Sequence, residues 1–183
     1  MNVHYDPQVI EEIKERYLVI DTNVLSSCSS DKDFFKSFLD IFKNNYILID
    51  PIVKLEFLRG AFREETYKEK SKFLEFEKFN MMVDHQEIYK NIYEKAFDIA
   101  RIYSHNGNSG IPLGDIFIIA RLATLNENYL FLTLDKSDFS TLLFDRLAVL
   151  SFERKIRVEV LEHLQILKFN NSKYKECFKK LPV

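Results

Sequence analysis

Two aspartates in this 183-residue chain close apolar runs. Asp21 follows Tyr17-Leu18-Val19-Ile20, and Asp135 follows Tyr129-Leu130-Phe131-Leu132-Thr133-Leu134. Between them lie Glu56, in Lys54-Leu55-Glu56-Phe57-Leu58-Arg59-Gly60, and Asp115, in Leu113-Gly114-Asp115-Ile116-Phe117-Ile118-Ile119-Ala120. A carboxylate at the end of a buried strand is costly to desolvate unless a cation meets it. Four carboxylates brought together repel and retain protons until a cation neutralises them. An all-oxygen ligand set favours Mg²⁺ or Mn²⁺ over zinc. No rival set competes, because His4, His85, His105 and His163 are scattered and Cys28 and Cys177 lack metal-ligand spacing. A carboxylate-held Mg²⁺ activates water and stabilises charge on a phosphoryl group, which suits phosphodiester hydrolysis.

The elements that must position these acids are read from periodicity. Asp6-Pro7 starts a helix over 7–16, and 17–21 is a strand too apolar to have a wet face. Phe34, Phe35, Phe38, Leu39, Ile41 and Phe42 give helical spacing over 32–43. Tyr46-Ile47-Leu48-Ile49 is a second buried strand, and Asp50-Pro51 caps the helix that leaves it, with Glu56 in the second turn. An amphipathic helix spans 63–79, a short strand 81–83, and a helix 85–104. The Asn106-Gly107-Asn108-Ser109-Gly110 run breaks that helix, and another starts near Asp115. Strands follow at 130–134, 147–151 and 164–169, and a basic helix at 172–180. Strands alternating with helices imply an α/β fold with a mostly parallel sheet. Ligands of such sheets bind beyond the carboxyl ends of the strands, where Asp21 and Asp135 fall and where the helices of Glu56 and Asp115 begin.

Each acid also has a plainer reading. Asp21 serves as a strand-ending turn, Asp115 as a helix N-cap, Glu56 as an exposed helical acid, and Asp135 as a loop acid. All four plain readings together would leave the convergence on one sheet edge as coincidence.

Composition narrows the class. Hydrophobic residues are 46% and charged residues 30%, as in a globular protein long enough for a sizeable core. No apolar stretch is long enough for a membrane helix. The start, Met-Asn-Val-His-Tyr-Asp-Pro, has no secretory pattern, so the two cysteines are expected to be reduced thiols in a cytoplasmic protein. A net charge of −2 argues against wholesale coating of nucleic acid, but not against an enzyme holding a short stretch of RNA. Local basic groups occur at Arg59 and Arg63, at Arg154-Lys155-Ile156-Arg157, and at Lys173, Lys175, Lys179 and Lys180. Taken singly, each reads as solvated surface charge.

Val19-Ile20-Asp21-Thr22-Asn23-Val24-Leu25, Leu55-Glu56-Phe57, Gly114-Asp115-Ile116-Phe117-Ile118-Ile119-Ala120 and Thr133-Leu134-Asp135-Lys136-Ser137-Asp138-Phe139 resemble the acidic segments of the PIN domain family, which includes the VapC toxins. The resemblance covers about residues 17–140. It implies a three-layer α/β/α sandwich and a metal-dependent endoribonuclease acting on single-stranded RNA. Asp21, Glu56, Asp115 and Asp135 would ligate Mg²⁺ or Mn²⁺, with Asp138 a second candidate for the fourth place. Asn23 and Thr133 would orient the acids or water, although ordinary turn and cap hydrogen bonding explains them as well. Arg59 and Arg63 would hold RNA phosphates. A toxin would carry a small antitoxin protein over the acidic cleft, and a homodimer is also implied. The N-terminal helix and the region after Phe139 exceed a compact toxin; residues 1–183 are read as one domain with these additions. The alternatives are an inactive PIN fold binding RNA or protein, and a haloacid-dehalogenase-type phosphatase. The latter wants a second Asp where this chain has Asn23.

Overall fold

The computed structural model describes residues 1–83, 85–135, 139, 141–155 and 159–182. In chain order the elements are β1 (Val3–His4), α1 (Pro7–Glu12), β2 (Tyr17–Ile20), α2 (Thr22–Ser30), α3 (Lys32–Ile41), β3 (Tyr46–Ile49), α4 (Pro51–Arg59), α5 (Glu64–Leu74), β4 (Phe79–Met81), α6 (Gln86–His105), α7 (Leu113–Thr124), β5 (Tyr129–Thr133), β6 (Phe144–Lys155), β7 (Glu159–Phe169) and α8 (Asn171–Lys179). Strand order across the seven-stranded sheet is β1-β6-β7-β5-β2-β3-β4. Strands β5, β2, β3 and β4 pair in parallel. Strand β7 joins β5 antiparallel, and β6 and β1 continue that antiparallel edge. The result is a mixed sheet, parallel through β5, β2, β3 and β4, in a three-layer α/β/α sandwich.

The apolar strands become the centre because both of their faces are covered. Leu18, Val19 and Ile20 of β2 and Leu130, Phe131 and Leu132 of β5 are fully buried. Phenylalanines at helical spacing fill the layer on one side: Phe34 and Phe38 of α3 are buried, and Phe35 meets Phe73, Phe76 and Phe79.

The structure shifts several expected elements. The helix expected over 7–16 ends at Glu12. Asn45 reaches in to take the Ile13 carbonyl at 2.6 Å, and Glu15 turns the chain with φ of 63°. The helix expected over 63–79 stops at Leu74, and Phe79 opens β4 instead of ending a helix. Residues 79–81 pair with β3, two residues ahead of the strand expected at 81–83. Helix α2, rich in Ser, Thr and Asn, has no expected counterpart. Its side chains compete for backbone hydrogen bonds, so local propensity is low, and burial of Val24, Leu25 and Cys28 compensates. The last two expected strands are the cores of a long hairpin, β6–β7.

Among the basic groups, Arg154 is buried instead of solvated. Its Nε donates to Asp31 Oδ2 at 2.9 Å, and Nη1 donates to Glu162 Oε2 at 2.6 Å, tying the hairpin to the start of α3. Both cysteines are free. Among the described residues, no helix is long and apolar enough to cross a membrane.

Candidate metal centre at the sheet edge

Register places the first contact. Ile20 of β2 stands beside Leu132 of β5, so the next residues, Asp21 and Thr133, are neighbours. The Asp21 N–H still donates to the Leu132 carbonyl at 2.9 Å, while its φ and ψ open helix α2. Asp21 is thus the last residue of the ladder and the N-cap of a helix, and it is only 4% exposed.

A network of donors surrounds its carboxylate. The Thr22 N–H donates to Oδ1 at 2.7 Å. Oδ2 accepts from the Thr133 hydroxyl at 2.6 Å and from Asn23 Nδ2 at 2.7 Å. Asn23 also spans to β5, since its Oδ1 accepts from the Leu134 N–H at 3.0 Å. The Asp135 N–H donates to the Thr133 hydroxyl at 3.0 Å. Asp135 is therefore hung from the residue that holds Asp21.

Glu56 arrives from another direction. Helix α4 begins directly after β3, capped by Asp50, whose Oδ1 accepts from the Ile52 N–H at 2.7 Å. The second turn of α4 carries Glu56 to α2, where its Oε2 accepts from the Thr22 hydroxyl at 2.6 Å. Asp115 lies in the first turn of α7, whose N-cap position is Pro112, so the plain reading of Asp115 as an N-cap does not hold. The residue before it, Gly114, lies against the Glu56 carboxylate. Asp138 lies outside the described residues. Arg59 ends α4 and Arg63 precedes α5; both are exposed and neither is ion-paired among the described residues.

The electrostatics follow from this packing. Burial pushes the Asp21 carboxyl up to about 6. The hydrogen bonds from Thr133 and Thr22 pull it back down, and the charges of Glu56 and Asp135 push it up again. Among the described residues Asp21 forms no ion pair with Lys or Arg. A deeply buried carboxyl pressed by two further acids suits a hard divalent cation, which would take the place of the shared protons. Carboxylate oxygens of this kind suit Mg²⁺ or Mn²⁺ better than zinc. Among the described residues, however, no three His, Cys, Asp or Glu side chains are gathered tightly enough to form a finished cation cage. Clefts also lie away from these acids, such as the 580 Å³ cleft lined by Phe97, Arg101, Ile116 and Pro182.

Three participants have no counterpart in the sequence reading. Thr22 was visible only as part of a turn. Arg121, on α7, donates from Nε to Asp50 Oδ2 at 2.8 Å in a pair that is almost fully buried, joining the helices of Glu56 and Asp115. Gln165, on β7 opposite Thr133, donates its amide to the Asp135 carbonyl, and its Oε1 is buried without a partner among the described residues. The sequence signal for Gln165 was one polar residue inside the apolar run Leu164 to Leu167.

The model of the PIN domain family matches residues 18–142, more than half of the chain. Comparison with curated proteins and with solved structures gives no match. The matched span begins one residue into β2 and ends after β5, so it contains all four acids and the parallel strands that carry two of them. The chain belongs to the PIN domain family, whose fold is of the nuclease type.

Proposed function

We propose that this protein is a metal-dependent endoribonuclease that hydrolyses phosphodiester bonds in single-stranded RNA. The observation that carries the reading is Asp21: a buried carboxyl at a strand's carboxyl end, crowded by Glu56 and Asp135 and balanced by no ion pair among the described residues. Asp21, Glu56, Asp115 and Asp135 would hold Mg²⁺ or Mn²⁺, with Asp138 a second candidate for the last place. When bound, the ion supplies positive charge against the scissile phosphate and makes water more acidic. Thr133 and Asn23 keep Asp21 in one orientation, and Thr133 aims Asp135 through its backbone N–H. The family resemblance implies 5′-phosphate and 3′-hydroxyl products.

Arg59 and Arg63 flank Phe62, which is 96% exposed. A cation–aromatic–cation run one loop beyond Glu56 suits a single strand, with phosphates on the arginines and a base on the ring. A toxin role with an antitoxin over the cleft, in the manner of VapC, belongs to the same reading. Growth arrest on expression, relieved by a neighbouring reading frame, would support that role; harmless expression of active enzyme would remove it. Tyr89, Tyr93 and Phe97 make an exposed stripe at helical spacing on α6 that supports a homodimer.

The test is cleavage of a labelled single-stranded RNA with Mg²⁺ or Mn²⁺, against EDTA and Asp21→Asn. Cutting is expected to vanish with EDTA and to fall by more than the roughly 100-fold that outer-partner changes cost at metal sites. Cutting that survives both controls would overturn the proposal. A second reading, an inactive PIN fold that binds RNA or protein, is favoured by the engagement of Glu56 with Thr22 and the absence of a closed acid cage among the described residues. RNA retained without turnover at saturating metal would select it.

A further inference from the structure

We propose that Gly114 is a positioning residue whose missing side chain forms the seat of the Glu56 carboxylate. The inference rests on the reading of Glu56 as a metal-holding acid. Glu56 Oε2 is tied to the Thr22 hydroxyl at 2.6 Å, which anchors one end of the carboxylate on α2. The rest of the group lies over the second residue of α7. A Cβ on Gly114 would stand 3.0 Å from Glu56 Cδ and closer still to Oε1. The approach to Oε1 is below what Cβ atoms tolerate, so any side chain here turns the carboxylate, the free end of a flexible side chain, out of this place.

Backbone demand does not explain this glycine. Among the described glycines only Gly107 has a positive φ. A glycine in the first turn of a helix loses more conformational freedom than alanine would. Nor do the other glycines meet the same situation: Gly107 and Gly110 face open space, and Gly60 has only an ordinary contact with Lys70 Nζ at 3.6 Å. Gly114 alone among them adjoins a carboxylate, and it is bonded to Asp115. The missing side chain leaves room for the carboxylate of α4's Glu56 against α7, one residue before Asp115.

The test uses the full chain with Gly114→Ala, Glu56→Ala and the double variant. Mn²⁺ affinity is read by titration of the protein, RNA cleavage is read separately, and the melting temperature is read in EDTA. Gly114→Ala is expected to keep or raise the metal-free melting temperature, yet to weaken Mn²⁺ binding and cleavage by roughly 10- to 100-fold, the range for residues that orient metal ligands. In the Glu56→Ala background the same change should cost nothing further. Wild-type Mn²⁺ affinity in Gly114→Ala, with Glu56→Ala impaired, would overturn the role of Gly114 and leave that of Glu56. A Glu56→Ala variant that binds and cuts like wild type would overturn both. Should Gly114→Ala fail to fold, folding restored in the double variant would support the seat, and a double variant that also fails would assign the glycine to the backbone and end the proposal.

Discussion

Asp21 and Asp50 occupy equivalent places and have opposite fates. Each follows a buried parallel strand, β2 or β3; each caps the next helix with its carboxylate; and each is almost completely buried. Asp50 is answered from within the protein, because Arg121 donates to it at 2.8 Å inside the core. Among the described residues Asp21 is answered only by neutral donors, Thr22, Asn23 and Thr133, and is pressed by Glu56 and Asp135. A strand-end aspartate is thus ion-paired inside the core or held by neutral donors according to what the neighbouring helices bring. Here α7 brings an arginine to one and a glycine–aspartate pair to the edge that holds the other.

Removing the internal cation should have the largest effect. Arg121→Met removes the guanidinium that donates to buried Asp50 and is expected to cost about 3–5 kcal/mol of stability. Asp50→Asn in the same chain keeps the cap and removes the buried carboxylate charge, so it should recover much of that loss. Urea or thermal unfolding of the two variants reads both effects; equal stability of Arg121→Met and wild type would end the comparison.

Protonation should distinguish the two aspartates next. The folded Asp21 carboxyl titrates near 6 against an ordinary value of 3.8. Between those values the folded chain holds the proton more tightly than the unfolded chain. Stability from this group therefore rises as pH falls through 6 toward 4, and is lowest above 6. About two pH units correspond to roughly 3 kcal/mol at most. Melting in EDTA across this range should show the slope, Asp21→Asn should flatten it, and Mn²⁺ at pH 7.5 should restore stability to wild type. A slope unchanged in Asp21→Asn would place its origin elsewhere.

The smallest effect concerns the neutral donors. Thr133→Val keeps the shape but removes the hydroxyl that donates to Asp21 and accepts from the Asp135 N–H. A 10- to 100-fold loss of metal affinity or cleavage is expected, with the melting temperature nearly kept. Thr133→Ser, which retains the hydroxyl, should stay near wild type. Equal loss in both variants would point to packing of the methyl group instead.

Much of this arrangement is legible in the sequence. The apolar runs ending in Asp21 and Asp135 specify buried strands, Asp50-Pro51 specifies a helix start, and the alternation of strands and helices specifies an α/β fold; the sandwich is what the family resemblance implies. These are local signals, written in consecutive residues. Helix α2 escaped because its Ser, Thr and Asn side chains hide a helix that only burial of Val24, Leu25 and Cys28 makes worthwhile. Phe79 misled because a phenylalanine at helical spacing and a strand's first residue look alike, and the choice was made by pairing with β3.

By itself the sequence determined the parallel core, the strand ends and the types of residue available there, because hydrophobic period and capping chemistry act over a few neighbouring positions. Only the tertiary structure decided which aspartate meets a cation, which glycine makes room for Glu56, and that Gln165 from the hairpin beyond the family's span holds the Asp135 carbonyl. Those outcomes depend on contacts between residues 30 to 71 positions apart, such as Asp135 with Gln165 and Asp50 with Arg121. No local pattern encodes them, because strand register and helix packing bring such residues together only in the folded chain.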